Sequence, residues 1–143
     1  MNIPTTDELS RQLKTLSTAA ELEKYTQELM DRCPVPSFPQ YLNHCLNHSG
    51  LTPAQLITKA QIQRNYGYQI LNGTRNPGRD RVIALCLALS LPLEDVQRAL
   101  TLAKESILYA KNPRDSVLIF CINKKMTVAD ANLLLDKNGK EPL

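Results

Sequence analysis

Arg64, Asn65, Tyr68 and Gln69 are the residues whose types and spacing best suit chemistry with another molecule. A helix turns about 100° per residue, so with Ile70 at zero Tyr66 falls at about −40° and Gly67 at about +60°, which makes these three the inward side of a helix from Arg64 to Leu71. Arg64, Asn65, Tyr68 and Gln69 fall on the other side, with Asn72 just beyond. Arginine holds guanine through two hydrogen bonds, asparagine and glutamine do the same with adenine, and tyrosine reaches a phosphate or an apolar base edge. Any exposed helix face is polar, so this face alone does not separate a reading surface from a solvated one.

The flanking residues say how such a helix would be held. Thr52 caps a helix start with its hydroxyl, and Pro53 suits a first helical position, where its missing N–H costs nothing. That helix runs to about Lys59 with Leu56 and Ile57 inward, and a short connection from Ala60 to Gln63 leads into the helix at Arg64. Two helices joined so closely have helix-turn-helix geometry. Asn72-Gly73 supplies a left-handed stop, and Asn76-Pro77-Gly78 a second turn.

The pattern Leu51-Thr52…Leu56…Ala60…Ile62…Ile70…Gly73-x-Arg75-x-Pro77…Leu85…Ala88-Leu89 resembles the lambda-repressor-like (XRE) helix-turn-helix DNA-binding family, without a gap, from about Phe38 to Leu102. The resemblance implies an all-α fold: a five-helix DNA-binding domain, here with an N-terminal helical arm and a C-terminal helical hairpin. It also implies that the helix from Arg64 lies in the major groove, while the loop from Asn72 to Arg79 and the helix start at Thr52 grip the backbone. Base contacts then fall to Arg64, Asn65, Tyr68 and Gln69, and phosphate contacts to Thr52, Asn72, Thr74, Arg75, Asn76 and Arg79. Gly73 and Pro77 shape the loop. Three positions depart from the family: Pro53 stands where a DNA-touching Gln is common, Gly67 where a β-branched core residue is usual, and Leu71 where an acid is common. Tyr66 is expected to fill the space left by Gly67.

Charge distribution points the same way. Net charge is +3, but residues 1–31 carry −3, 32–81 carry +5 and 82–143 carry +1. No acidic residue lies between Asp31 and Asp80, nearly fifty positions centred on the reading helix, as attraction to a polyanion requires. The most apolar run, Val82 to Leu91, is far short of the roughly 20 residues that span a bilayer, and no stretch resembles a secretory signal, so a soluble, cytoplasmic chain is expected. Cys33, Cys45, Cys86 and Cys121 form no C-x-x-C pair; the last three lie in apolar helical contexts as small core residues, and disulfides are not expected.

In chain order, residues 1–32 form a helical arm: a short helix from Thr6 to about Leu16, then a capping box at Thr18 and Glu21 starting a helix through Leu22, Tyr25, Leu29 and Met30 with an acidic opposite face. Residues 33–37 make a Pro-rich connection, the run Cys33 to Pro39 being read as non-helical. The helix-turn-helix domain occupies 38–103, opening with Phe38, Tyr41, Leu42, Cys45 and Leu46 inward and ending at Gly50. Its central helix, Val82 to Leu89, is apolar almost all round, and Leu91-Pro92-Leu93 breaks it before a helix through Val96 and Leu100. The hairpin, 104–143, holds a connection with Tyr109 as packing anchor, a helix from Pro113, and another from Thr127 to about Lys137 ended by Asn138-Gly139. It carries more apolar surface than one hairpin hides alone, so it must dock on the core or on a second copy.

His44 and His48 have a spacing that binds metals, but no third ligand stands nearby, and no metal or cofactor is expected. No Gly-rich phosphate loop and no Ser/His/Asp or Cys/His arrangement is present, so an enzyme is not expected. The chain reads as a sequence-specific regulator binding double-stranded DNA, as a homodimer through hairpin or arm. The competing reading is a protein-interaction module, an antitoxin or adaptor, holding a partner protein through its terminal helices. RNA binding has weaker support, there being no stacking sheet or basic tail.

Overall fold

A computed structural model describes residues 4–32 and 35–143. Cys33 and Pro34, and with them part of the expected Pro-rich connection, lie outside the described residues. The described residues are all-helical, with nine helices and no strand: α1 Thr6–Thr15, α2 Ala19–Arg32, α3 Phe38–Ser49, α4 Pro53–Lys59, α5 Arg64–Asn72, α6 Arg79–Ala88, α7 Leu93–Leu102, α8 Pro113–Asn123 and α9 Val128–Lys137. None is long and apolar enough to cross a membrane. They divide into two compact units, Met1–Pro36 and Ser37–Leu143.

In the first unit, α1 starts with a capping box between Thr5 and Glu8. Thr18 Oγ1 accepts the Glu21 N–H at 3.1 Å, but the Glu21 carboxylate returns to Ser17 rather than to the Thr18 backbone. Neither helix buries a described side chain, and Leu13, Leu22 and Met30 are exposed.

The first helix of the second unit begins at Phe38, where the domain is expected to open, so it takes in the last two residues of the run read as non-helical. Ser37 and Gln40 form a capping box, so Phe38 and Pro39 stand inside the first turn of α3, where proline gives up no helical hydrogen bond. The central element is α6, in which Val82 through Leu87 are all buried. Helices α4 and α7 pack against it, α3 packs against α5 and α7, and the α8–α9 pair docks through α9 on α6 and through α8 on α7. One apolar side of the hairpin therefore goes to the core of its own chain: Leu118, Cys121, Ile122, Val128, Ala131 and Leu135 join one cluster with Leu56, Ile70, Ile83 and Leu100. Cys86 and Cys121 are buried free thiols, as expected; Cys45 is also free and half-buried.

The packing anchor between α7 and α8 is Leu108, 3% exposed, and not Tyr109, which is 59% exposed. Gln97 on α7 fixes that choice, donating Nε2–H to the Leu108 carbonyl and accepting the Leu108 N–H, both at 2.8 Å. A loop has no periodicity to mark which of two adjacent apolar residues turns inward.

The ends of α4 to α9 follow one device. After α4, α6, α7 and α8 the chain enters the left-handed region at Gln61, Ser90, Lys104 and Lys125, with φ of 57°, 55°, 61° and 56°. The next N–H then reaches back to the carbonyl five residues earlier, as from Glu105 to Leu100 at 2.9 Å and from Met126 to Cys121 at 3.0 Å. The same closure uses glycine at Gly73 and Gly139. A side chain in this conformation costs about 1–2 kcal/mol, of which glycine's greater freedom in the unfolded chain returns about half. Lys104→Gly, at an exposed position, should therefore raise stability in urea unfolding by about 0.5–1 kcal/mol; a loss of stability would contradict this account of the turn.

Candidate nucleic-acid interface

The site is built on α5, and α5 is placed by what it lacks. Gly67 faces α4, and a Cβ there would stand 2.6 Å from Ile57 Cγ1 and 2.8 Å from its Cδ1 and Cγ2. Ile57 thus occupies the space that a side chain at 67 would need. The expectation that Tyr66 fills it is corrected: Tyr66 is half-buried beside the core, while Ile57 meets the glycine. Ile70 is fully buried one turn on. Gln63 caps the helix, its Oε1 accepting the Tyr66 N–H at 2.8 Å. At the other end Asn43 of α3 donates Nδ2–H to the Leu71 carbonyl at 2.9 Å and to the Pro39 carbonyl at 2.8 Å, tying the last turn of α5 to α3.

With the inward side so fixed, the outer face follows from the helical period. Arg64, Asn65 and Tyr68 are exposed and Gln69 is half-buried. The Arg64 guanidinium lies 5.9 Å from the Tyr68 ring centroid, a cation–π distance. The loop continues this surface. Gly73 turns left-handed at φ 84°, and the Gln69 carbonyl accepts the Thr74 and Arg75 N–H groups at 2.9 and 3.2 Å. Asn72 Oδ1 accepts both the N–H and the hydroxyl of Thr74, which stiffens the turn. Pro77 is buried as the anchor, while Arg75 and Asn76 are exposed. Thr52 is exposed at the start of α4 in a capping box with Gln55. Nine of the ten residues singled out in the sequence thus lie on α5, on the loop after it, or at the cap of α4, which packs against α5.

Arg79 is placed differently. Its guanidinium forks onto Asp115, with Nη1 to Oδ1 at 3.0 Å and Nη2 to Oδ2 at 2.9 Å. It also donates Nε–H to the Ser106 carbonyl at 2.9 Å and Nη2–H to that of Ile107 at 3.0 Å. Four of its five donors are thereby directed at its own chain. A second fork crosses the first: Arg114 holds Asp80 at 3.0 and 3.1 Å, and donates further to the carbonyls of Glu141 and Pro142. The sequence carries a signal for this, because Arg-Asp occurs twice, directly after Asn112-Pro113 at 114–115 and one residue after Asn76-Pro77 at 79–80, with Gly78 between. Each dipeptide opens a helix, α6 or α8, and each arginine takes the other's aspartate.

Burial alone would lift the Asp115 pKa. The Arg79 hydrogen bonds, the Tyr109 N–H and the charges of Arg79 and Arg114 outweigh it, and the carboxyl titrates below its usual range. The hydrogen bonds that Arg79 donates to Asp115 likewise hold it more firmly protonated than a free arginine. His44 and His48 lie edge to face on α3 with ring centroids 4.4 Å apart, and no group of three or more His, Cys, Asp or Glu among the described residues is arranged to hold a metal.

Two outcomes follow. Gly67→Ala gains helix propensity worth about 1 kcal/mol, yet should destabilise the chain by about 1–3 kcal/mol because Ile57 must give way. In a double-mutant cycle with Ile57→Ala, the double variant should lose less stability than the sum of the two single losses, and strict additivity would contradict the contact. Asp115→Asn leaves Arg79 without its charged partner and should cost about 3 kcal/mol at neutral pH. Because the folded-state pKa of Asp115 lies below the unfolded one, its stabilisation is complete above the ordinary carboxylate range and lost as pH falls through the folded value. The gap between wild type and variant in unfolding midpoint should therefore narrow below about pH 4, and a gap constant with pH would refute the ion pair's role. Comparison of the chain with known protein families, curated proteins and solved structures finds no match.

Proposed function

We propose that this chain is a sequence-specific DNA-binding protein, a transcriptional regulator that reads the major groove with α5. The observation that carries the reading is the outer face of α5: Arg64, Asn65, Tyr68 and Gln69 point away from a buried Gly67–Ile70 side, within a stretch that lacks carboxylates from 32 to 79. In this reading those four side chains meet base edges, and Thr52, Asn72, Thr74, Arg75 and Asn76 meet phosphates. Arg79 is left out of the phosphate set, since its donors are engaged within the chain. The lambda-repressor-like resemblance supports the same arrangement, with α3 to α7 as the five-helix body and α8 and α9 as its buttress. A two-fold operator would take two copies, half-sites about one helical turn apart.

A second reading has an observation of its own. Ile107, Tyr109, Phe120 and Leu133 are large apolar side chains exposed on the carboxy-terminal part. They suit a protein partner, as an antitoxin or adaptor would require.

Affinity for mixed-sequence duplex DNA separates the two. If DNA is the ligand, log affinity falls steeply with log salt, and Arg75→Ala flattens the slope by about one unit. Gln69→Ala should instead cost roughly 1–3 kcal/mol on the selected site and little on mixed sequence. Salt-insensitive or absent binding to duplex, with wild type and Arg75→Ala alike, would sink the regulator reading.

A further inference from the structure

Away from α5, a cleft of about 380 Å³ opens between α3, α7 and the turn joining α6 to α7. That volume lies within the range of about 300–1,000 Å³ typical of small-molecule sites. Part of its lining is apolar: Leu89 is buried, Leu91 is half-buried, and the half-buried Tyr41 ring lies alongside. Tyr41 is held there by its hydroxyl, which donates to the Asp95 carbonyl at 3.4 Å.

The rim carries two opposite charges that do not neutralise each other. Asp95 and Arg98 stand one turn apart on α7 and both line the cleft, and the charges of both bear on the Cys45 thiol in its wall. The ion pairs found among the described residues are the two forks, Arg79–Asp115 and Arg114–Asp80. The side chains of Asp95 and Arg98 make no ion pair and no hydrogen bond among the described residues, so the carboxylate and the guanidinium keep their donors and acceptors for something else. His44, His48 and Ser49 complete the lining with polar groups. A cleft that joins an apolar patch to one unpaired anion and one unpaired cation is complementary to a molecule with an ammonium, a carboxylate and an apolar body.

We propose that this cleft binds a zwitterionic α-amino acid with an apolar side chain, its carboxylate on Arg98, its ammonium on Asp95 and its side chain over Leu89, Leu91 and Tyr41. A carboxylate gains two parallel bonds from a guanidinium, which fixes its orientation as well as its position. A ligand with only one charge leaves one rim group without a partner and binds less well. The site stands independently of the DNA reading, because none of these residues belongs to the α5 surface.

The test uses the full 143-residue chain labelled with 15N, and the probes L-leucine, L-phenylalanine, 4-methylpentanoate, which lacks the amine, and 3-methylbutylamine, which lacks the carboxylate. At least one amino acid should give saturable amide shifts confined to α3, α7 and the turn before α7, with a midpoint below about 10 mM. Each singly charged probe should bind about tenfold more weakly or worse, since a charged hydrogen bond is lost. Arg98→Ala, at an exposed position, and Asp95→Asn should each weaken the amino acid by about tenfold while leaving the remaining spectrum unchanged; should Asp95→Asn disturb the fold, Arg98→Ala alone decides. The proposal is overturned if neither amino acid saturates, if the shifts map elsewhere, if a singly charged probe binds as well, or if Arg98→Ala binds like wild type.

Discussion

A helix buried on every side needs a neighbour on every side. In α6 the six residues from Val82 to Leu87 are all buried, so no orientation of that helix can leave a face to water. The positions of α4, α7 and α9 follow from that demand, since each covers part of α6. The carboxy-terminal hairpin is part of the same solution, and its apolar residues and those of the α3–α7 region form one cluster. What faces outward is then decided as much as what faces inward: α5, seated on α4 and α3, does not touch α6 heavily and is left with one side free.

Two close contacts make that free side rigid. Gly67 lets α5 approach Ile57 more nearly than any side chain would allow, and Asn43 clamps the last turn through the Leu71 carbonyl. The reading surface proposed for α5 would need such fixation, because side chains that must meet base edges in register gain little if their helix can roll. At the start of α6 the crossed forks do a related task. Arg79 and Arg114 exchange aspartates, so the helix that follows the loop is pinned to α8, and the loop between Gly73 and Gly78 hangs from two fixed ends.

Much of this was legible in the sequence, for local reasons. Thr52 with Pro53, Gly73, and Thr127 announced helix boundaries through chemistry that acts within three or four residues, and α4, α5 and α9 begin or end where they indicate. The all-round apolar run of α6 announced its burial. What escaped depends on partners distant in the chain. The four left-handed turns at Gln61, Ser90, Lys104 and Lys125 lack the glycine that would mark them, and are closed by a backbone hydrogen bond that residue type does not announce. The inward turn of Leu108 is chosen by Gln97, and the role of Arg79 by an aspartate 36 residues later. Ile57 as the partner of Gly67 likewise needed the α4–α5 approach distance, which no periodicity contains.

The central claim is that the outer face of α5, with the loop after it, is the surface that enters a duplex. Amide-shift mapping of the full chain against double-stranded DNA at low salt tests it most directly. The account predicts the largest shifts from Arg64 to Gln69 and from Asn72 to Asn76, with α8 and α9 unmoved; shifts centred on Tyr109, Phe120 or Leu133, or none at saturating DNA, would contradict it.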